Sequence, residues 1–251
     1  MREIVLVPLM TRPPATSRTQ RHRPKSARDY QRYRPCLRWD AGFTCCFCLV
    51  HESDLAPVGV ERTAQTSIEH IEPQAHAPHL ADKYENCAYA CRFCNSARGT
   101  FPTVHPSGAR LLHPWQDAWG VHFRLHEDRL EPVQQGDEGR HASYTAEVYQ
   151  INDETRIRLR QKRRAVLMDR MRWFAHDVDA LEELASRQSS PEDRLRLILF
   201  AQELVAGRQA ALIELGDRTA IPPDAPANCR CDSREHHALP PEIEVWRVSL
   251  G

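Results

Sequence analysis

The chain has no net charge: 34 Lys and Arg residues balance 34 Asp and Glu residues over 251 positions, which excludes a uniformly basic nucleic-acid binder. It has no apolar run near the ~18–20 residues that a membrane span needs, and its mean hydropathy is −0.59. The opening Ile4 to Val7 stretch is too short for the apolar core of a secretory leader and has no small-residue cleavage site behind it. These absences predict a cytoplasmic protein with no membrane partner. Lysine is nearly missing as well: Lys25, Lys83 and Lys162 stand against 31 arginines. Arg grips phosphate in a bidentate fork where Lys offers a point charge. At 41% hydrophobic residues, there is apolar material for one core of moderate size or two small ones.

What the chain does have is cysteine. Nine is an odd number, and a reducing compartment leaves thiols free unless a metal uses them. Four of them form two Cys-x-x-Cys knuckles, Cys45 with Cys48 and Cys91 with Cys94. Two tight turns that each present two sulfurs make a tetrahedral thiolate site for structural Zn2+, and the metal then replaces a core the segment lacks. The alternative is that one knuckle is fortuitous, with Cys46 or Cys87 as substitute ligands or buried thiols. A thioredoxin-like redox role fits less well, because neither knuckle opens a helix after a strand in a βαβ unit.

Four regions follow from the composition along the chain. Residues 1–38 form a basic, Pro- and Arg-rich arm whose prolines are expected to break any helix. It serves either as a phosphate contact or as a solvated tail. Residues 39–140 hold most of the cysteines and a β-hairpin, His122 to His126 and Arg129 to Val133 joined at Glu127-Asp128. Residues 141–216 are helical, with apolar spacing running almost throughout 144–186 and a second helix starting at Ser190-Pro191; the two are expected to pack as a hairpin. Residues 217–251 are an irregular tail. The fold class is therefore α+β, a small zinc-stabilised domain followed by a β-hairpin and an α-helical hairpin region.

Between and beyond the knuckles stand Ser67-Ile68-Glu69-His70-Ile71-Glu72-Pro73, then Asn86, then Cys94-Asn95-Ser96-Ala97-Arg98. An acid–His pair ending a short strand, a central Asn and a final Asn after a zinc knuckle resemble the HNH endonuclease family, with the ββα-metal motif over about Phe43 to Arg98. The resemblance implies a nuclease with His70 as general base, Glu69 and Asn95 on one catalytic divalent ion (Mg2+ or Mn2+), and Asn86 bracing the loop behind the base. It further implies Arg98 and Arg92 as substrate-binding cations, and DNA as the default partner. This chain departs from the commonest pattern in having Glu69 where Asp is usual and Asn for His at both later positions. Strict alternation also puts Glu69 and His70 on opposite faces of a strand, so both can serve one phosphate only if the strand ends there.

The resemblance extends weakly through Arg110 to Phe123. A setting in bacterial defence or restriction and a homodimer or partner surface on the helical region are further expectations. Two alternatives stay open: a non-catalytic zinc module binding nucleic acid or protein, and an RNA-cleaving nuclease of the same fold. The run Arg156, Arg158, Arg160, Lys162, Arg163, Arg164 is either a phosphate-tracking face or an exposed helix face. His76, His79, His105 and His113 are taken as turn or surface residues, and Trp115 and Trp119 as core. Cys229 and Cys231, with His236 and His237, are ligand types for a second zinc, but no further local partner completes them.

Overall fold

The computed structural model describes residues 20, 22–25, 28–55, 65–133, 136–201 and 231, leaving aside the side chains of 53, 166–179 and 182. Its centre is a two-stranded antiparallel sheet, β1 (Thr66–His70) with β2 (Cys87–Cys91), in which His70 faces Cys87 and Thr66 faces Cys91. β2 runs straight into α3 (Arg92–Arg98), so strand, strand and helix form one ββα unit. Cys91 caps α3, its sulfur accepting from Cys94 N at 3.4 Å. The helix stops at Gly99, whose φ of +47° is a left-handed conformation that a side chain disfavours.

One turn of 3-10 helix at Tyr30–Tyr33 leads into and packs on α1 (Arg34–Asp40), which packs against β2. This corrects the expectation of an arm whose prolines forbid helix. Pro35 sits in the first turn of α1, where the missing N–H costs nothing, and Tyr33, Cys36 and Leu37 are core residues. Two of the arm's arginines are spent internally: Arg34 donates to Thr66 O at 2.9 Å and Arg38 pairs with Glu52, which begins α2 (Glu52–Leu55). Residues 1–19 of the arm lie outside the described residues.

After α3 an irregular segment is held by the Arg110–Asp117 pair at 2.6 Å and leads to α4 (Trp119–His122). β3 (Phe123–His126) and β4 (Arg129–Pro132) pair antiparallel through a tight turn, Glu127 and Asp128 both left-handed. Trp115 and Trp119 are buried, and Trp115 donates from its indole to Cys87 O at 2.9 Å.

The helix expected over 144–186 is two helices, α5 (Gly136–Val148) and α6 (Glu154–Ser186). Gln150 is left-handed at φ +47°, and Asp153 caps α6 by accepting from Thr155 N at 2.9 Å. The continuous apolar spacing persists because the break itself is buried: Tyr149 stacks on Phe47 at 4.0 Å, and Ile151 is in the core. Residues 191–201 are helical, with Asp193 N donating to Ser190 Oγ; 202–216 and the tail apart from Cys231 lie outside the described residues. Among the described residues, no helix is long and apolar enough to cross a membrane.

Candidate active site and metal centre

The first knuckle is a hairpin loop between Thr44 and His51, which form an antiparallel bridge. Cys45 N donates to Val50 O at 3.0 Å, and Cys46 N donates to Tyr89 O at 2.9 Å, docking the loop on β2. Leu49 takes a left-handed φ of 61° as the chain leaves the turn. The second knuckle is the β2–α3 junction. The two meet: Sγ of Cys45, Cys48, Cys91 and Cys94 all lie within 4.8 Å of one another, in full burial.

The four sulfurs fit a structural metal such as zinc. Tetrahedral Zn–S bonds of ~2.3 Å put sulfurs about 3.8 Å apart, and Cys48 Sγ lies 3.7 Å from Cys91 Sγ. Burial opposes ionisation throughout the cluster. At Cys45 the hydrogen bonds from the other three thiols outweigh burial and push it well down, whereas burial and the same network push Cys48 and Cys94 well up. Four thiolates therefore need a cation. Cys46 and Cys87, the alternative ligands, stand apart from the cluster, and the Cys87 thiol donates to Lys83 O at 3.3 Å.

Around this centre the arginines of α6 face inward. Arg156, Arg160 and Arg163, spaced on one helical face, are all buried. Burial works against the Arg156 charge, but the nearby Cys94, Cys48 and Cys91 raise it, and its guanidinium lies over the Phe93 ring at 5.5 Å. Arg160 donates to Cys48 O at 2.9 Å, Asp128 O at 2.7 Å and Ile151 O at 3.0 Å. Arg163 pairs with Asp54 at 2.5 Å and Arg164 with Asp128 at 2.5 Å. Half of the expected phosphate-tracking run is thus internal structure, since each buried guanidinium satisfies carbonyls and carboxylates that packing has taken from water.

Of the remaining expected site residues, Glu69, His70, Asn86 and Asn95 lie about the second half of β1, on different faces of the strand. Glu69 turns toward α3, where the Asn95 amide nitrogen, in the orientation that satisfies both groups, donates to Glu69 Oε2 at 2.9 Å and Ile68 O at 3.1 Å. Glu69 is only 5% exposed. Burial pushes its carboxyl up to about 8 and the Cys45 charge adds to this, while Arg98 and the His70 N–H pull it down.

His70, the last residue of β1, turns to the other face. Its Nε2 lies 2.9 Å from Ala81 O, which can only accept, so Nε2 carries the proton and Nδ1 is the basic nitrogen. With that proton in place, the Gln74 amide nitrogen 3.2 Å away cannot donate to the same atom. Tyr30 meets the ring edge-on at 4.5 Å. Burial holds the imidazole below its usual value of 6.5, against the Ala81 bond and the Asp82 charge. Among the described contacts none joins the His70 ring to Glu69 or Asn95, as strand alternation requires; only the His70 backbone N–H reaches the Glu69 carboxyl.

Asn86 is buried at the end of a 3-10 turn and ties the loop behind His70. Its Oδ1 accepts from Glu72 N at 2.8 Å, and its Nδ2 donates to Glu72 O at 3.0 Å and Leu80 O at 3.3 Å. Arg92 is exposed at the start of α3. Arg98 differs from expectation: it is 0% exposed and donates to Phe101 O and Ile71 O. A guanidinium so enclosed braces the β1–α3 junction and presents no surface to a phosphate. Sequence reasoning missed Tyr30, Ala81 and Gln74 around His70, for which only the fold supplies a signal. It also missed the inward Arg156 and Arg160, whose i, i+4 spacing sets them on one face without saying which way that face turns.

Residues 55–101 match the family model of the HNH endonuclease. The match points to a nuclease of the HNH type, and the four-cysteine cluster, half of which lies before the matched segment, is positioned to bind a metal ion. Neither the curated proteins nor the solved structures give a match.

Proposed function

We propose that the chain is a metal-dependent endonuclease that hydrolyses phosphodiester bonds in DNA, leaving 5′-phosphate and 3′-hydroxyl ends. The observation that carries this reading is the meeting of Glu69 and Asn95 at the end of β1, beside a histidine whose proton is fixed on Nε2 by a backbone carbonyl. Glu69 and Asn95 would hold the divalent ion, Mg2+ or Mn2+. Both offer hard oxygens of the kind that bind such ions. With an ion bound, the Asn95 amide would present its oxygen to it. When bound, such an ion polarises a phosphate oxygen and stabilises the charge that develops on the leaving 3′ oxygen.

The chain's own groups do the proton work. His70 is neutral at cellular pH because burial lowers its pKa, so Nδ1 accepts the proton of the attacking water. Ala81 O holds the ring in that tautomer and steadies the imidazolium that results, and Asn86 holds the loop bearing Ala81 through Glu72 and Leu80. Arg92, exposed on α3, is the cation assigned to the phosphate; Arg98 acts by positioning α3 against β1.

A non-catalytic binding module has less support, since turning Arg156, Arg160 and Arg163 inward removes half of the basic run from 156 to 164. Leu195, Ile198, Leu199 and Phe200 are exposed on the 191–201 helix, and we place any homodimer or partner surface there. The test is digestion of supercoiled plasmid, single-stranded DNA and structured RNA with Mg2+ or Mn2+, using wild type and Asn95→Ala. Cleavage of DNA that Asn95→Ala abolishes is expected. Preference for RNA refutes the substrate, and binding without cleavage under any metal refutes the enzyme.

A further inference from the structure

We propose that a cavity of about 680 Å3 between α3 and α5 takes up one unstacked nucleobase of the substrate strand. Ala97 of α3 forms one wall, Phe101 and His105 of the segment after it another, and Ser143, Glu147 and Val148 of α5 the third. Sites for small molecules run from about 300 to 1,000 Å3, so a nucleoside has room. The identity of the strand rests on the nuclease reading.

The lining suits a flat, uncharged ring. Its charged side chains are one cation and one anion, Arg140 and Glu147, and Arg140 is already paired with Asp137. A phosphate would meet a carboxylate there, with no surplus of positive charge to hold it. Aromatic surface is offered instead, with polar groups between. Phe101 is 53% exposed, and the His105 ring lies 5.2 Å from that of the buried Tyr144. A singly exposed apolar residue needs no explanation, but Phe101 borders a cavity that Ala97 and Val148 also line. An aromatic face stacks on any base. His105 Nδ1 accepts from Ser107 N at 3.2 Å, so the ring's proton is on Nε2, a donor. The Glu147 carboxylate is an acceptor and the Ser143 hydroxyl is both, a mixture that matches the edge of a base.

The wall that bears Phe101 is fastened to the end of β1. Arg98 donates to both Phe101 O and Ile71 O, and Thr103 Oγ1 donates to Glu72 Oε2 at 2.8 Å. Ile71 and Glu72 are the two residues that follow His70. From the other side the Tyr144 hydroxyl donates to Pro102 O at 2.8 Å, and the rim turn is closed by His105 N donating to Ala109 O at 2.7 Å. A base stacked on Phe101 is thus held in fixed register with His70. The buried Arg98 then sets where the strand is read relative to where it is cut.

The test is fluorescence anisotropy of a short labelled single-stranded DNA, and of an abasic strand of the same length, binding to the zinc-loaded full chain without Mg2+. A single strand serves because its bases are already free to unstack. Wild type is expected to bind the strand with bases more tightly. Phe101→Ala, at an exposed position and checked for zinc content, is expected to lose about 5- to 150-fold on that strand and nothing on the abasic one. Phe101→Tyr, which keeps a ring, is expected to restore most of the affinity. Ser143→Leu, which fills the cavity from an exposed position of α5, is expected to lose the base-dependent affinity in the same way. Equal loss on both strands for Phe101→Ala, or loss on neither, overturns the proposal. Displacement of the strand by micromolar free deoxynucleosides also overturns it, in favour of a small-molecule site. Plasmid nicking, assayed apart, reports on the nuclease reading: a chain that nicks DNA without base dependence loses the pocket alone, and one with base dependence but no nicking keeps the pocket and loses the enzyme.

Discussion

Replacing Arg160 by Ala tests the claim that α6 is fastened to the zinc knuckle by its arginines. Arg160 is 5% exposed and its guanidinium supplies the partner for three carbonyls, Cys48 O, Asp128 O and Ile151 O, with a longer bond to Asn152 Oδ1 at 3.3 Å. These acceptors belong to three different elements: the first knuckle, the β3–β4 turn and the α5–α6 break. A buried acceptor stripped of its partner costs about 1–3 kcal/mol. Three of them sum to roughly 3–9 kcal/mol, of which water entering the vacated volume recovers a part. The loss of the buried charge, which burial makes less favourable than in water, recovers a little more. The expected destabilisation is therefore about 3–5 kcal/mol, a large fraction of the ~5–15 kcal/mol that holds a domain together. Urea unfolding of the zinc-loaded protein, followed by tryptophan fluorescence, measures it. Arg160→Lys should fall between the two, because an ammonium reaches one or two of the carbonyls but not all three. A loss below about 1 kcal/mol for Arg160→Ala would refute the reasoning, since three such bonds cannot be removed at that cost.

Cys91→Ser should abolish tight zinc binding and cooperative unfolding of the ββα unit together. Zinc binding of about 10–16 kcal/mol in small thiolate sites exceeds the stability of most domains, and metal analysis with circular dichroism checks both. Asn86→Ala should slow cleavage and lower stability by about 2–3 kcal/mol, for three lost amide bonds, while zinc content stays unchanged; loss of zinc would assign Asn86 a different role. Burial works against the Asp117 carboxylate but is outweighed by Arg110 and the His113 N–H, so its pKa is lowered. A lowered folded value stabilises the fold fully above the ordinary value of 3.8, and this is lost as pH falls through the folded value. Asp117→Asn should therefore cost about 1 kcal/mol at neutral pH, discounted for the exposed half of the pair. The cost should vanish in acid, as thermal melts across pH will reveal.

What the sequence made legible was local. Cys-x-x-Cys spacing specifies a knuckle whatever surrounds it, and Glu69-His70 with Asn95 just after a knuckle specifies a strand end beside a helix. The α5–α6 break was harder. Asn152-Asp153 before Glu154 is a helix start, but apolar spacing through Val148, Ile151 and Thr155 masked it because Val148, Tyr149 and Ile151 stay in the core across the break. The inward face of α6 was illegible for a related reason. A run of arginines has the same composition whether it faces water or covers a thiolate cluster and three carbonyls, and only the tertiary fold decides. Arg98 shows the converse: its position on the face of Asn95 suggested a phosphate clamp, and packing against Ile71 and Phe101 gave it another task.

The most direct measurement is plasmid nicking at saturating enzyme by wild type, His70→Ala and His70→Ala with added imidazole, each with zinc content verified beforehand. Loss of a positioned general base is expected to slow the chemical step by about 10²–10⁴-fold. Imidazole, free to enter the space beside Tyr30 and Ala81, should return part of the rate, more so above the pKa of free imidazole. Nicking by His70→Ala at the wild-type rate would contradict the assignment of the base, and with it the account of this chain as an HNH-type nuclease.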